Sequence, residues 1–457
     1  MNPRRCDVLN LEWGTSGRDR EMAGLVSYAL RRKGYRVEEK SIFNWRYLLW
    51  RLRPRVVFLT NGHGDAYNFK VVKLASLMGI PVVTLISEGN FFLDGNLDIS
   101  FWGQNKEQRL YEKLHCQWSE RTRRICLRVH PELSSRIVVS GGVGFDRYAI
   151  FNYSDKRTFL KKYGKERYSK LIGYAGGALD TVETDDVTYQ QLLVKTFGPN
   201  YIANTKRDRD GLKSILKKLI ESMPDTVFLL KEHPSSLFLE KTELSGLKEY
   251  PNVIYLQNEE PIGDCIHASD VWMAYNSTTC LEGWLLGKPT LLINPHGADF
   301  ARDETHRGSP IFETAEDVNT ALSAFYSTGQ LPGFQERNIH RKRVMVDTIQ
   351  WTDGKNHMRA ANYIEQVLRQ KPEKWHPSLS YWMLLPIHAF RFFGAPYFKR
   401  FPGFQTYAHA RTIFKEEELA DWNKRHHPEL EHFYAAQELM SIAVQEHIDR
   451  TQLDHTY

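Results

Sequence analysis

What the chain lacks narrows it first. Its 457 residues include only five cysteines, Cys6, Cys116, Cys126, Cys265 and Cys280, with no CxxC pair. An odd, scattered set supplies neither a disulfide framework nor a zinc knuckle, and it favours a reducing compartment. No GxSxG, Walker A or HExxH pattern is present, which removes many hydrolase, NTPase and metalloprotease readings. The most apolar late stretch, Tyr381 to Phe398, is interrupted by Pro386, His388, Arg391 and Pro396, so no membrane-spanning helix is expected. The opening MNPRRCDVLNLEWG has arginines but no apolar h-region; no signal peptide and a cytoplasmic location are expected. Charge is only mildly lopsided, 61 basic against 55 acidic residues for a net +6. That suits an anionic small ligand or a negatively charged membrane face, and without a basic stripe no nucleic-acid partner is expected.

What is there is a repeated alternation. CDVLNLEW, YRVEEK, RVVFLTNG, PVVTLIS, DISFWG and RIVVSGG read as strands, with helices over Arg18 to Lys33 and Ala66 to Met78. After the charged stretch SDKRTFLKKYGKERYSK, the pattern restarts with strands KLIGYAGG, TVFLLK, NVIYLQ, DVWMAYN and PTLLIN and a helix over Gly211 to Met223. Near-continuous apolar strands separated by helices are what a parallel sheet covered on both faces requires. The fold class is therefore α/β, with two Rossmann-like doubly wound domains facing a cleft, over residues 1–155 and 165–370. Residues 371–457 form an aromatic, basic and then helical extension, read either as an interdomain cap or as a membrane-surface segment.

In open parallel sheets ligands bind at the carboxyl ends of strands, so candidate residues are sought there. In the second half, His233 and Pro234 follow TVFLLK, where an imidazole can reach a phosphate or a base, and Lys231 at the end of that strand adds a positive charge. Gly176 and Gly177 end KLIGYAGG and allow close ligand approach. Asn276, Ser277, Thr278 and Thr279 occupy the turn after DVWMAYN, where helix-start amides and hydroxyls suit phosphate. Thr279 and Glu282 equally have the spacing of a capping box, and Glu282 is a candidate for a ribose hydroxyl. In the first half, Glu88 in ISEGNFF is the candidate general base. Glu12, His63 and Asp65 are candidate acceptor-side groups at other strand ends, Asp65 doubling as a helix N-cap. Asp208 and Asp210 form a D-x-D read as helix capping rather than a metal site. Gly142 and Gly144 fall short of a GxGxxG fingerprint.

The HP pair His233-Pro234, the hydroxyl-rich turn Ser277 to Thr279 and the acidic-Gly pair Glu88-Gly89 together resemble three signatures of bacterial GT-B sialyl- and polysialyltransferases. The HP and serine motifs are also similar to those of capsule Kdo transferases. The stretch from Trp102 through VSGGVGFDRY resembles surface carbohydrate biosynthesis proteins, with Gly144 and Asp146 at the end of that segment. The resemblance runs over roughly residues 6–300 as scattered motifs. It implies a metal-independent glycosyltransferase, without cofactor, that moves a Kdo- or sialic-acid-like sugar from a CMP-linked donor to a bacterial surface glycan or glycolipid. Glu88 would be the base, His233 would contact the CMP portion, and Ser277 with Thr278 its phosphate. The inner-membrane surface is a further expected partner. Ser87 stands where the fuller motif often has a second acid. The alternatives are a CDP-polyol phosphotransferase, a UDP-sugar epimerase, or a non-catalytic nucleotide-sugar-binding scaffold.

Overall fold

A computed structural model describes residues 6–454 apart from 16, 87–96, 178, 184–186, 235–241, 243, 276, 298–306 and 372–373. The chain divides into two units, each built on one six-stranded sheet in which every pairing is parallel.

The first unit contains β1 (Val8–Glu12), β2 (Val37–Ser41), β3 (Val56–Leu59), β4 (Val82–Leu85), β5 (Leu114–Gln117) and β6 (Ile137–Val139), in the order β2-β1-β3-β4-β5-β6. β1, β3 and β4 are buried along their whole length, as their continuous apolar runs require. Strand β2, at the edge, alternates instead: Val37, Glu39 and Ser41 point inward. DISFWG, expected as a strand, forms a π-helical turn over Asp98–Trp102. The fifth strand is the shorter Leu114–Gln117, whose histidine and glutamine disguise it in the apolar pattern.

The second unit contains β7 (Lys170–Ala175), β8 (Thr226–Lys231), β9 (Val253–Leu256), β10 (Val271–Ala274), β11 (Thr290–Ile293) and the two-residue β12 (Ile311–Phe312). Their order, β12-β11-β10-β7-β8-β9, reverses between β7 and β10. This is the doubly wound pattern whose switch point favours ligands. The helix expected from Gly211 begins ten residues earlier and runs Tyr201–Ser222. Asp208 and Asp210 therefore lie inside it and cap nothing. Asp208 instead accepts hydrogen bonds from Tyr275 Oη (2.8 Å) and pairs with His296 Nδ1 (2.9 Å).

From Val346 the chain returns to the first unit, so the expected second-domain limit at 370 moves to about 345. Asp146 holds the return: its carboxylate accepts from the backbone N–H and Nδ1 of His357 at 2.6 and 2.8 Å. The helix Leu379–Phe398 then packs on the helix Trp45–Leu52. Tyr381 and Ala395 join the core of the first sheet, together with Tyr407 and Ala410 from the helix Gln405–Ile413. Tyr381 Oη donates to the Arg46 carbonyl at 2.5 Å.

Candidate functional site

Polar side chains gather at the strand ends of each unit, and the two sets differ in kind. In the first unit they build two buried charge clusters.

The first cluster sits where β1 ends. Arg20, on the helix Gly17–Arg32, reaches Glu12 at 2.6 Å and the inward-facing Glu39 at 2.8 Å, and Arg31 adds a second cation to Glu39 at 2.5 Å. Burial, opposed by the Arg20 charge, raises the Glu12 carboxyl to about 8. Glu12 was an acceptor-side candidate. The geometry makes it one of four members of an internal cluster of acids and arginines, 3% exposed.

The second cluster lies beside a cavity of about 440 Å³ at the carboxyl ends of β3 and β4, lined in part by Asn61, His63, Ile86, Ser100 and His115. Gly103 closes the turn beneath it. Its φ of +49° is a left-handed conformation, and a Cβ there would lie 2.6 Å from the His63 carbonyl, which accepts from Gln104 N–H. Glu112, 0% exposed, is the hub. Its Oε1 lies 3.0 Å from His63 Nε2 and 2.8 Å from His115 Nδ1, and the Thr84 hydroxyl donates to it at 3.2 Å. His63 Nδ1 donates to the Phe101 carbonyl at 2.9 Å.

These contacts set the charges. Burial alone would raise the Glu112 pKa, but the His63 charge and hydrogen bonds from both imidazoles hold it well below the usual carboxylate range. Burial would lower His63, yet Glu112 outweighs it and biases this ring toward imidazolium. His115 is pushed down, first by burial and also by the His63 charge, and stays neutral. With its Nδ1–H committed to Glu112, neutral His115 carries its lone pair on Nε2. That buried atom has no hydrogen-bond partner among the described residues.

Ligand atoms of His63, Glu112 and His115 lie within 4.8 Å of one another, a donor set of metal-binding chemistry. The two rings, however, stack at 25° with centroids 4.9 Å apart, whereas one ion would have to lie in the plane of both. The arrangement is that of a hydrogen-bonded relay: a carboxylate orienting an imidazole whose far nitrogen is buried without a partner among the described residues.

His63 was expected to approach substrate. Its Nδ1 bonds the Phe101 carbonyl and its Nε2 pairs with Glu112 by charge at 3.0 Å, whereas the buried Nε2 of His115 has neither kind of partner among the described residues. Nothing in the sequence reading singled out Glu112 or His115. The signal was an E-x-x-H spacing across the start of a strand, with a histidine inside an otherwise apolar run. Asp65 is the N-cap of the helix Ala66–Leu77, accepting from Tyr67 N–H at 2.6 Å. Glu88 and Asn276 lie outside the described residues.

The strand ends of the second unit carry fewer linked charges: Glu232, buried just after β8, accepts from the Thr242 and Tyr255 hydroxyls, and burial raises its pKa. Gly176 follows β7, and a Cβ there would stand 3.2 Å from both His233 N and the Lys231 carbonyl; its small size lets β7 and β8 close on each other. Gly177 is half-buried beside it, as is His233 at the end of β8, and Pro234 is exposed. Lys231 turns away from this group: its buried ammonium donates to the Gln257 carbonyl at 2.7 Å, and burial lowers its pKa.

After β10, Ser277 Oγ accepts from Thr279 N–H at 3.2 Å and from the Thr279 hydroxyl at 3.0 Å. The expected Thr279–Glu282 capping box does not form. Thr279 is already the first residue of the helix Thr279–Leu285, and the indole N–H of Trp272 donates to its hydroxyl at 2.9 Å. Thr278 precedes that helix, half-buried, while Glu282 is only 1% exposed and offers no surface for a ribose. Gly176, Gly177 and His233 thus cluster after β7 and β8, with Ser277 and Thr278 across the switch point on β10.

No protein-family model matches the chain, and no curated protein matches it. Solved structures share its fold at low identity. One, a putative UDP-N-acetylglucosamine 2-epimerase from Listeria monocytogenes, is 12% identical with a TM-score of 0.52, over 81% of this chain and 99% of that one. S. aureus MnaA in complex with UDP is 13% identical with a TM-score of 0.50, over 82% and 100%. A histidine-to-asparagine variant of the wall teichoic acid polymerase TagF, soaked with CDPG, is 14% identical with a TM-score of 0.50, over 80% and 90%. The fold is thereby defined as α/β and GT-B-like: two Rossmann-like doubly wound units with a helical C-terminal extension.

Proposed function

We propose that the chain is a glycosyltransferase. It takes a sugar from a nucleotide-activated donor bound at the switch point of the second unit, and His115 is its acceptor-side base. The observation that carries this reading is the neutral His115, oriented by Glu112, whose buried and unpartnered Nε2 lies in the wall of a cavity at the carboxyl ends of β3 and β4; the residue is 1% exposed, so an acceptor hydroxyl has to enter that cavity to reach it. In the reaction, Nε2 takes the proton of an acceptor hydroxyl as its oxygen bonds to the anomeric carbon. The anomeric C–O bond breaks and its electron pair leaves on the nucleotide phosphate. Glu112 stabilises the imidazolium so formed.

His233, Ser277 and Thr278 are assigned to the donor. With the Lys231 ammonium engaged by Gln257, this cluster suits the single phosphate of a CMP-linked sugar better than a diphosphate. A surface glycan or glycolipid is the proposed acceptor. Glu88 is the rival base.

Thermal-shift screening of CMP-, CDP-, UDP- and GDP-linked compounds, followed by product analysis, tests the reading. The expected result is stabilisation by a nucleotide sugar, sugar transfer to an acceptor, and a loss of about 10²–10⁴-fold in turnover for His115→Gln with donor stabilisation retained. Because burial and the His63 charge hold His115 below its ordinary value near 6.5, activity is expected to persist through pH 6.5 and to fall only at lower pH. Sugar isomerisation without an acceptor, transfer of a polyol phosphate, or full activity in His115→Gln would each overturn the assignment.

A further inference from the structure

One face of the C-terminal extension is apolar where solvent would be expected. On the helix Leu379–Phe398, Trp382, Met383, Ile387, Phe390, Phe393 and Tyr397 are all exposed, Phe390 at 59% and Tyr397 at 84%. At 100° per residue they fall within about 140° of arc. Tyr381, Leu385, Phe392 and Ala395 occupy the opposite side and pack into the core of the first sheet. The helix is therefore already anchored, and the apolar face is surplus to folding. It continues beyond the helix at Phe401, 61% exposed, and sideways through Tyr47, which packs edge-on against Phe393 at 5.1 Å, to the exposed Trp50. Contiguous apolar surface of this kind marks an interaction site.

The charge around it identifies the occupant. From Lys374 to Lys415 there are six lysines and arginines and no aspartate or glutamate; in the adjoining segment Lys40 and Arg55 pair with Glu416 and Asp7 and Arg46 is buried, which leaves Arg51 and Arg53 exposed with no acid from Lys40 to Gly64. Lys399 and Arg400 are exposed and make no ion pair among the described residues. Among those residues no helix is long and apolar enough to cross a membrane.

We propose that this face docks in the plane of an anionic lipid bilayer. Aromatic and aliphatic side chains enter the headgroup boundary, and Lys399 and Arg400 meet acidic headgroups. A second copy of the chain would bring like charges together around the same patch. The inference is independent of the proposed reaction.

Sedimentation of the full-length protein with vesicles of phosphatidylglycerol and phosphatidylcholine in equal parts, against phosphatidylcholine alone, tests it. Binding is expected to the mixed vesicles, to weaken with added salt, and to fall about tenfold or more in Lys399→Gln/Arg400→Gln. It should fall similarly in Phe390→Ser/Tyr397→Ser/Phe401→Ser. Both variants alter exposed side chains only, and unchanged thermal unfolding checks their fold. If the wild type stays in the supernatant, if phosphatidylcholine alone binds equally well, or if either folded variant binds like the wild type, the proposal is overturned. A dimer in solution that both variants dissociate would assign the face to self-association instead.

Discussion

The strand ends of the two units solve different problems with different chemistry. In the first, Glu12, Arg20 and Glu39, and then His63, Glu112 and His115, are charged or titratable, buried and tied to one another. In the second, Gly177, Ser277 and Thr278 are small, neutral and half-buried beside the buried Gly176, while the buried Lys231 is spent on a backbone carbonyl and the buried Glu232 on two hydroxyls. A preorganised charge cluster holds a proton acceptor in one orientation and protonation state. A neutral turn of glycine and hydroxyls leaves room and donors for a ligand that brings its own charge. Two six-stranded parallel sheets of different strand order thus carry a linked, buried charge cluster in one unit and a turn of small residues and hydroxyls in the other.

The sharpest way to break this comparison is Arg20→Leu. It leaves two buried carboxylates with only the half-buried Arg31, and about 3–5 kcal/mol of stability should be lost in denaturant unfolding. Glu112→Gln comes next, at about 3 kcal/mol near pH 6, with a distinctive pH signature. In the wild type, the depressed Glu112 contributes stability above its unfolded value near 4.5 that is lost as pH falls through its folded value. The raised His63 contributes stability below about 6.5 that is lost as pH climbs through its folded value. Both limbs should flatten in the variant when unfolding is followed across pH. Smallest is Ser277→Ala, about 1 kcal/mol through the lost acceptor for Thr279 N–H, accompanied by weaker stabilisation by a nucleotide sugar. If Ser277→Ala proved as damaging to stability as Arg20→Leu, the contrast between the units would fail.

The fold was largely legible. Strands β1, β3, β4, β7, β8, β10 and β11 are mostly apolar and almost wholly buried, and that demand writes itself into composition. β5 was not legible, because His115 and Gln117 interrupt it for reasons that lie in neighbouring strands: Thr84 on β4 and Glu112 before β5 make a histidine acceptable there. Glu12 shows the same limit. A glutamate ending a strand looks available to a ligand until the helix turns Arg20 back onto it and Glu39 arrives from the edge strand. The N-cap role of Asp65 could be read because a cap is local, whereas a charge network is assembled by tertiary folding from distant segments.

The return of the chain at Val346 has a consequence for how the protein comes into being. All the strands of the second sheet lie between Lys170 and Phe312, so they leave the ribosome as one uninterrupted block. The first sheet emerges earlier yet must wait for Tyr381, Ala395, Tyr407 and Ala410 to seal its side. The later-made unit can therefore finish first. During that interval the unsealed flank around Trp45 and Leu49 exposes its greasy surface, and this nascent stage is where a chaperone or a lipid surface has the most to shield.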